Sequence, residues 1–323
     1  MYQQLAGNGV IVFSDPAGAK ACLALVAILK KKYPSASFRI FSNKQYDFYK
    51  DWPVQVEIRS DVHEELLSDI NPAWIFAGTS HPDSSNRFEL GWIRVARKLA
   101  IPTWSFIDHW TCMSLRFEDG GIYTYPDHIV VVDELAKTLA VNDNVPENLL
   151  AVCKNPYIEY ICDYWIPRQD VAMVRKTLGI GPERMLLYAP DPFSLRNEDG
   201  YWEFDELTAL KDLLAVCSAF SDVKVVIKKH PLQPQGSLEA VAADFDNNQY
   251  IFAPDLDNLD IMNAADLIVG FHSNFLIEAN ALQKDIIRYF PKSQDKDELH
   301  HLSIGQKVTN KISLQNSIKT ILC

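Results

Sequence analysis

The chain has 323 residues, enough for two domains with separate cores, because single cores stop growing near about 250–300 residues. Its 48% hydrophobic and 23% charged content is that of a globular protein. A formal net charge of −11 argues against a general nucleic-acid binder, which needs a basic field to release counterions, but leaves room for one local basic pocket.

From the N-terminus, short apolar runs alternate with amphipathic stretches. GVIVFS (9–14) predicts a strand, followed by the loop DPAGAK and an apolar helix through ACLALVAILKKKY. SFRIFS (37–42), VQVEI (54–58) and PAWIFAG (72–78) predict further strands, with a helix around 61–70. A helix across 86–99, strands IPTWSFID (101–108) and HIVVVD (128–133), a helix at 133–141 and the strand NLLAVC (148–153) complete this half. KNPYIEYICDYWIPRQD (154–170) breaks the alternation and reads as a linker, so the predicted domains are 1–160 and 161–323. The pattern resumes with a helix at 169–178, RMLLYAP (184–190), a helix at 203–219, VKVVIKKHP (223–231), QYIFAP (249–254), ADLIVG (265–270) and DIIRYF (285–290). SLQNSIKTILC predicts a closing helix. Strands separated by helices imply an α/β protein with two parallel, Rossmann-like sheets, each covered on both faces. If their carboxyl ends face one another, a deep cleft separates the halves.

Six cysteines show neither a Cys-x-x-Cys pair nor metal-ligand spacing, and no His/Cys/Asp cluster has such spacing either. DLDNLD (255–260) lacks the glycine and terminal glutamate of an EF-hand and predicts a helix cap. The N-terminus lacks the pattern of a signal peptide, and no apolar run reaches the ~18 residues of a membrane span. These features predict reduced thiols in the cytoplasm, with at most peripheral contact at the inner face of the membrane.

Ligands of open parallel sheets bind outside the carboxyl ends of the strands, so polar residues there are the informative ones. VKVVIKKHP delivers Lys228, Lys229 and His230 to a strand end, where an ammonium and an imidazole suit a phosphate. A solvated strand end stopped by Pro231 would look the same. In GFHSNFLIEANA, a helix beginning near Asn274 and capped by Ser273 or His272 offers free backbone N–H groups to an anion. Glu278, among apolar neighbours, is an acid on a buried face that needs a partner, and a pair of sugar hydroxyls would serve. An ordinary cap with a salt-bridged glutamate is the alternative.

KKHP followed by GFHSNFLIEA, on successive strand ends of the second half, resembles the GT-B-fold glycosyltransferases. Within them the pair is similar to the bacterial surface-polysaccharide group with an HP motif, which includes sialyl-, Kdo- and glycerophosphotransferases. It is similar, less specifically, to UDP-sugar 2-epimerases. The resemblance implies that the second domain binds the nucleotide of an activated donor: His230 at phosphate, Ser273 and its neighbours at phosphate, Glu278 at the ribose. FEDGG (117–121) has the letters of the sialyltransferase acidic-glycine motif but follows a strand and a loop.

Acceptor-side candidates are weaker. Asp108 and His109 end a strand and pair a carboxylate with an imidazole, as a general base would require, with Arg116 nearby; a structural pair with Trp110 in the core fits equally. His81 follows another strand in a loop where an N-cap within Ser84–Asn86 is expected, and Asp15 opens the first loop, in which Gly18 allows close approach. Asp191 and Ser194 follow the first strand of the second half, over the donor phosphates if the resemblance holds. The basic helix end LKKKYP (29–34) reads as a dipole-favoured terminus rather than a membrane contact.

Together these readings predict a glycosyltransferase, metal-independent and without a cofactor, whose co-substrate is a nucleotide-activated sugar. The acceptor would be a glycan or a lipid-linked hydroxyl, with Asp108, His109 and His230 as catalytic candidates. Three alternatives stand beside it: an NDP-sugar epimerase or hydrolase, a CDP-polyol phosphotransferase, and a non-catalytic nucleotide-binding relative.

Overall fold

The computed structural model describes residues 1–82, 87–195, 203–292, 297 and 299–322. The expected cap within Ser84–Asn86 lies outside the described residues. The chain divides into two compact units, Met1–Tyr164 and Trp165–Cys323.

The first unit begins with β1 (Asn8–Phe13), α1 (Pro16–Lys32), β2 (Ser37–Ser42), β3 (Val56–Ile58), α2 (Glu64–Ile70) and β4 (Trp74–Gly78). It continues with α3 (Phe88–Lys98), β5 (Thr103–Ile107), a small hairpin of β6 (Glu118–Asp119) and β7 (Ile122–Tyr123), then β8 (His128–Val131), α4 (Glu134–Asn142), β9 (Leu150–Val152) and α5 (Pro156–Asp163). Seven strands form a parallel sheet in the order β3-β2-β1-β4-β5-β8-β9. Successive side chains of β1 alternate between the two faces. Val10 and Val12 join a cluster with Ile75 and Ile129, while Ile11 and Phe13 join another with Phe76 and Phe106. Burial on both faces is why these strands read as continuous apolar runs.

One part of this unit departs from expectation. The stretch read as a linker contains α5, started by Asn155, whose side chain accepts from Tyr157 N at 2.9 Å, and by Pro156 at the first helical position. Its aromatic residues are anchors: Trp52 packs on Tyr160 at 4.9 Å, the Lys20 ammonium lies over Tyr157, and Tyr2 donates to Glu159. The FEDGG letters build the β6–β7 hairpin, with Gly120 and Gly121 at φ of 60° and 83°.

The second unit runs α6 (Val171–Thr177), β10 (Arg184–Tyr188), α7 (Glu206–Cys217), β11 (Val223–Ile227), α8 (Ser237–Ala242), β12 (Tyr250–Phe252) and α9 (Asn258–Ala264). It ends with β13 (Leu267–Gly270), α10 (Asn274–Ala281), β14 (Ile286–Tyr289), β15 (Gln306–Val308) and the expected closing helix α11 (Lys311–Leu322). Its six parallel strands follow the order β12-β11-β10-β13-β14-β15. Asp257 caps α9 through Leu259 N and Asp260 N, the role expected of DLDNLD. The short polar strand β15 carries no apolar run to announce it. Each unit is therefore α/β and Rossmann-like.

Both sheets share a decisive property. Chain order reverses between β1 and β4, and again between β10 and β13, and at such switch points the loops at the carboxyl ends diverge to leave a crevice. In the first unit the crevice is set by close backbone approach. A Cβ on Gly78 would lie 2.9 Å from Gly18 O and 3.0 Å from Cys22 Sγ, so the first turn of α1 rests directly on the end of β4. Among the described residues no helix is long and apolar enough to cross a membrane.

Gly78→Val is expected to destabilise the protein by about 2 kcal/mol or more, through overpacking against α1. Gly91→Ala, inside α3 with only Val62 at 3.9 Å, should be neutral or gain about 0.5–1 kcal/mol. Urea denaturation of both variants checks the contrast; equal stabilities would refute the close approach.

Candidate functional site

In the first unit, the carboxyl end of the sheet gathers several of the expected residues. Asp15 caps α1, accepting from Gly18 N at 2.7 Å, and its second oxygen accepts from His81 N at 3.3 Å across the switch point. Arg116 is almost wholly buried and donates through Nη1 to Thr79 O at 2.7 Å and to Asp108 Oδ1 at 3.3 Å. Asp15, His81, Asp108 and Arg116 thus share one sheet end. Burial raises the Asp15 carboxyl above the usual range, and the negative charge of Asp108 adds to the effect; Gly18 N–H and Arg116 oppose it.

Asp108 and His109 engage different partners. Asp108 is held by Arg116, whereas His109 Nδ1 lies 3.0 Å from Thr111 Oγ1. Trp110 donates its indole N–H to Asp133, the cap of α4, at 3.0–3.1 Å, which fixes the loop after β5.

Sequence reading missed Glu89, in the first turn of α3. It is 3% exposed and accepts from Ser80 Oγ at 2.6 Å. Burial pushes its carboxyl up to about 7, against the pull of the Ser80 hydroxyl. An acid in a first helical turn ordinarily reads as a complement to the helix dipole, which masked it. Also missed were Cys112, whose Sγ lies 3.3 Å from His81 Nε2, and Tyr46, whose hydroxyl donates to Ser14 O at 2.9 Å.

The second unit repeats the switch-point device. Asp191, in the Asp-Pro pair after β10, accepts from His272 N, after β13, at 3.3 Å. Asp15 is likewise followed by proline, and His81, like His272, follows a strand that ends in glycine. A Cβ on Gly270 would meet Ala189 O at 2.9 Å, so the two strand ends meet closely here too.

Ser273 caps α10, its hydroxyl accepting from Phe275 N at 3.2 Å, with Asn274 exposed at the first helical position. Glu278 is buried on the same helix, 6% exposed. His272 sits between Phe193 and Phe290, and burial lowers its imidazole to about 4, with Asp297 pulling the other way. The ring is therefore neutral at pH 7. Asp297 lies 3.7 Å from His272 Nε2 and binds Arg288 Nη1 at 2.5 Å and Lys307 at 3.6 Å. That charged group escaped sequence reading, although an arginine inside the apolar strand DIIRYF was its visible trace.

After β11, Lys229 pairs with Glu239 and lies 5.0 Å over the Phe252 ring, so its ammonium is already engaged by a carboxylate. His230 Nδ1 accepts from Leu232 N at 3.1 Å, which shapes the turn after the strand. Ser194 binds the buried Glu206 rather than standing open over the strand end. Among the described residues no group of three or more His, Cys, Asp and Glu side chains could hold a metal ion.

Comparison with known proteins agrees with this architecture. The chain is similar to UDP-GlcNAc 2-epimerase from Methanocaldococcus jannaschii, at 14% identity and a TM-score of 0.67, over 98% of this chain and 92% of that one. It is similar to UDP-GlcNAc 2-epimerase from Neisseria meningitidis bound to UDP-GlcNAc, at 10% identity and a TM-score of 0.68, over 97% and 90%. HepE from Anabaena, in complex with UDP and glucose, aligns at 15% identity and a TM-score of 0.62, over 96% and 89%. These likenesses show a shared fold. No family model and no curated protein matches the sequence.

The raised carboxyl of Glu89 carries a prediction about stability. In the unfolded chain it titrates near 4.5, and in the folded one near 7, so the native state holds an extra proton between those values. Stability from this group is full below about pH 4.5 and is lost as pH rises through 7. The parent should therefore lose on the order of 3 kcal/mol relative to Glu89→Gln between those limits, at about 1.4 kcal/mol for each tenfold change in proton affinity. Denaturant melts of both proteins at pH 4.5, 6 and 8 test this; a constant difference would show that Glu89 titrates normally.

Proposed function

We propose that this chain is an enzyme acting on a nucleotide sugar, of the epimerase or hydrolase type, with nucleotide binding in the second unit and proton transfer in the first. The observation that carries the reading is the pair of carboxyls with raised proton affinity, Asp15 and Glu89, at the switch point of the first sheet. Chemistry on the sugar itself, breaking and remaking a C–H bond or adding water, needs groups that hold and release protons near neutrality. Asp108 Oδ1 already accepts from Arg116 at 3.3 Å, so it is occupied by a partner, which weakens the case for activating an acceptor hydroxyl through it. The fold shared with UDP-GlcNAc 2-epimerases across nearly the whole chain is consistent with this choice.

For the nucleotide we assign Asp191, Lys229, His230, His272, Ser273, Asn274 and Glu278. The start of α10 supplies backbone N–H groups to phosphate. His230, whose Nδ1 accepts from Leu232 N, donates through Nε2, and Lys229 adds charge once it leaves Glu239. Glu278 takes the ribose hydroxyls. His272, neutral by burial, orders the loop through its backbone N–H bond to Asp191 instead of contributing charge. No cofactor or metal enters this reaction as proposed. Free thiols at Cys22, Cys112, Cys153, Cys162 and Cys217 fit a cytoplasmic setting.

Glycosyl transfer to a glycan or lipid-linked hydroxyl is the second reading, favoured by the KKHP and GFHSNFLIEA segments together. Incubation with UDP-GlcNAc alone separates the two. The first reading expects a new sugar resonance or free UDP without any acceptor, followed by proton NMR. Turnover that appears only when an acceptor is added would overturn it in favour of transfer. His230→Ala should weaken UDP binding by roughly tenfold or more, as loss of a charge-assisted contact predicts, with the fold retained; calorimetric titration reads the affinity.

A further inference from the structure

Glu206 is a fully buried acid that the nucleotide assignment above does not use. It is the first residue of α7, and Asp205 before it already serves as the cap, accepting from Thr208 N at 2.7 Å. The Glu206 carboxylate instead reaches two separate strand-end loops. Its Oε2 accepts from Ser194 N at 2.9 Å, and its Oε1 accepts from Ser194 Oγ at 2.5 Å, both in the loop after β10. The same Oε1 accepts from Gln233 Nε2 at 2.9 Å, in the loop after β11. Gln233 Nε2 also donates to Ser237 Oγ at 2.9 Å, so the second loop is tied onward to the start of α8.

We infer that Glu206 is a positioning residue that fastens the two loops carrying Asp191, Lys229 and His230 into one preorganised nucleotide-binding surface, an inference that rests on the function proposed above. The charge is suited to its place: three donors converge on it, and it lies at the positive end of a helix. Asp191 continues the chain of ties by accepting from His272 N, so the loops after β10, β11 and β13 are joined through two carboxylates. A binding surface fixed before the ligand arrives avoids the ordering cost of binding.

Glu206→Gln keeps the volume but replaces one acceptor oxygen by a donor, which then faces the donors of Ser194 or Gln233. Glu206→Asp keeps an acceptor-only group on a shorter arm. In the ligand-free protein, amide hydrogen exchange should quicken in both 191–195 and 228–236 for Glu206→Gln, and less for Glu206→Asp. Faster exchange in one segment alone, or in neither, overturns the tie. UDP titration should show roughly tenfold weaker binding for Glu206→Gln, the scale of a lost charged hydrogen bond, with partial recovery in Glu206→Asp. In turnover the loss should appear in KM, with kcat nearly unchanged. A parent that binds UDP and a Glu206→Gln protein that binds it equally well overturns the positioning role alone. A parent that binds no UDP overturns both that role and the proposed function, while the exchange result still decides the tie. If Glu206→Gln does not fold, Ser194→Ala and Gln233→Leu replace it. Their effects on UDP affinity should be non-additive, because each frees the same carboxylate, and additive effects overturn the inference.

Discussion

The arrangement at both sheet ends depends on one constraint: a strand-end loop needs a partner for its backbone N–H groups, and here carboxylates supply it. Loops leave the sheet ladder, so each amide they carry must find an acceptor or water. Asp15 and Asp191 provide one across each switch point, accepting from His81 N and His272 N respectively. The bond is an ordinary one, yet it decides where neighbouring loops stand relative to each other. Glycines at the ends of β4 and β13 make the arrangement possible, because a side chain at Gly78 or Gly270 would push the strand ends apart.

That constraint also separates the two units chemically. In the first, burial acts on carboxyl groups and raises the hold of Asp15 and Glu89 on their protons. In the second, burial acts on an imidazole and strips its proton, so His272 is a neutral spacer beside the Asp297 ion cluster. One architecture used twice thus holds raised carboxyls in one unit and a neutral imidazole beside an ion cluster in the other. The difference lies in which residue type was buried.

Much of the fold was legible because parallel strands buried on both faces are long apolar runs, as GVIVFS, PAWIFAG and VKVVI are. The helix α5 was hidden because its aromatic and proline-rich sequence resembles a linker; its Asn155 cap and Pro156 start are local, but the Trp52 and Lys20 that anchor it lie far away in the chain. Strand order was illegible, since it depends on pairing between distant segments. At the sites, Asp15, His81, Asp108 and Arg116 could be found as polar residues just past strands. Glu89 and Glu206 could not, because acids in the first turn of a helix are common and their burial shows only when the neighbouring loop is in place. The basic segment KKHP was visible, but not that Glu239 already neutralises one of its lysines.

The strand order has a bearing on how the protein is made. In each sheet the first strand ends in the middle, with β4 or β13 as its far neighbour. During synthesis β1 and β2 can pair early, but the open edge of β1 waits for β4, some sixty residues later. An exposed apolar edge over that interval is a site for aggregation, and α1, already seated by its Asp15 cap, covers one face while the chain lengthens. Because the first unit is a continuous segment ending at Tyr164, it can close its own core before the second has left the ribosome.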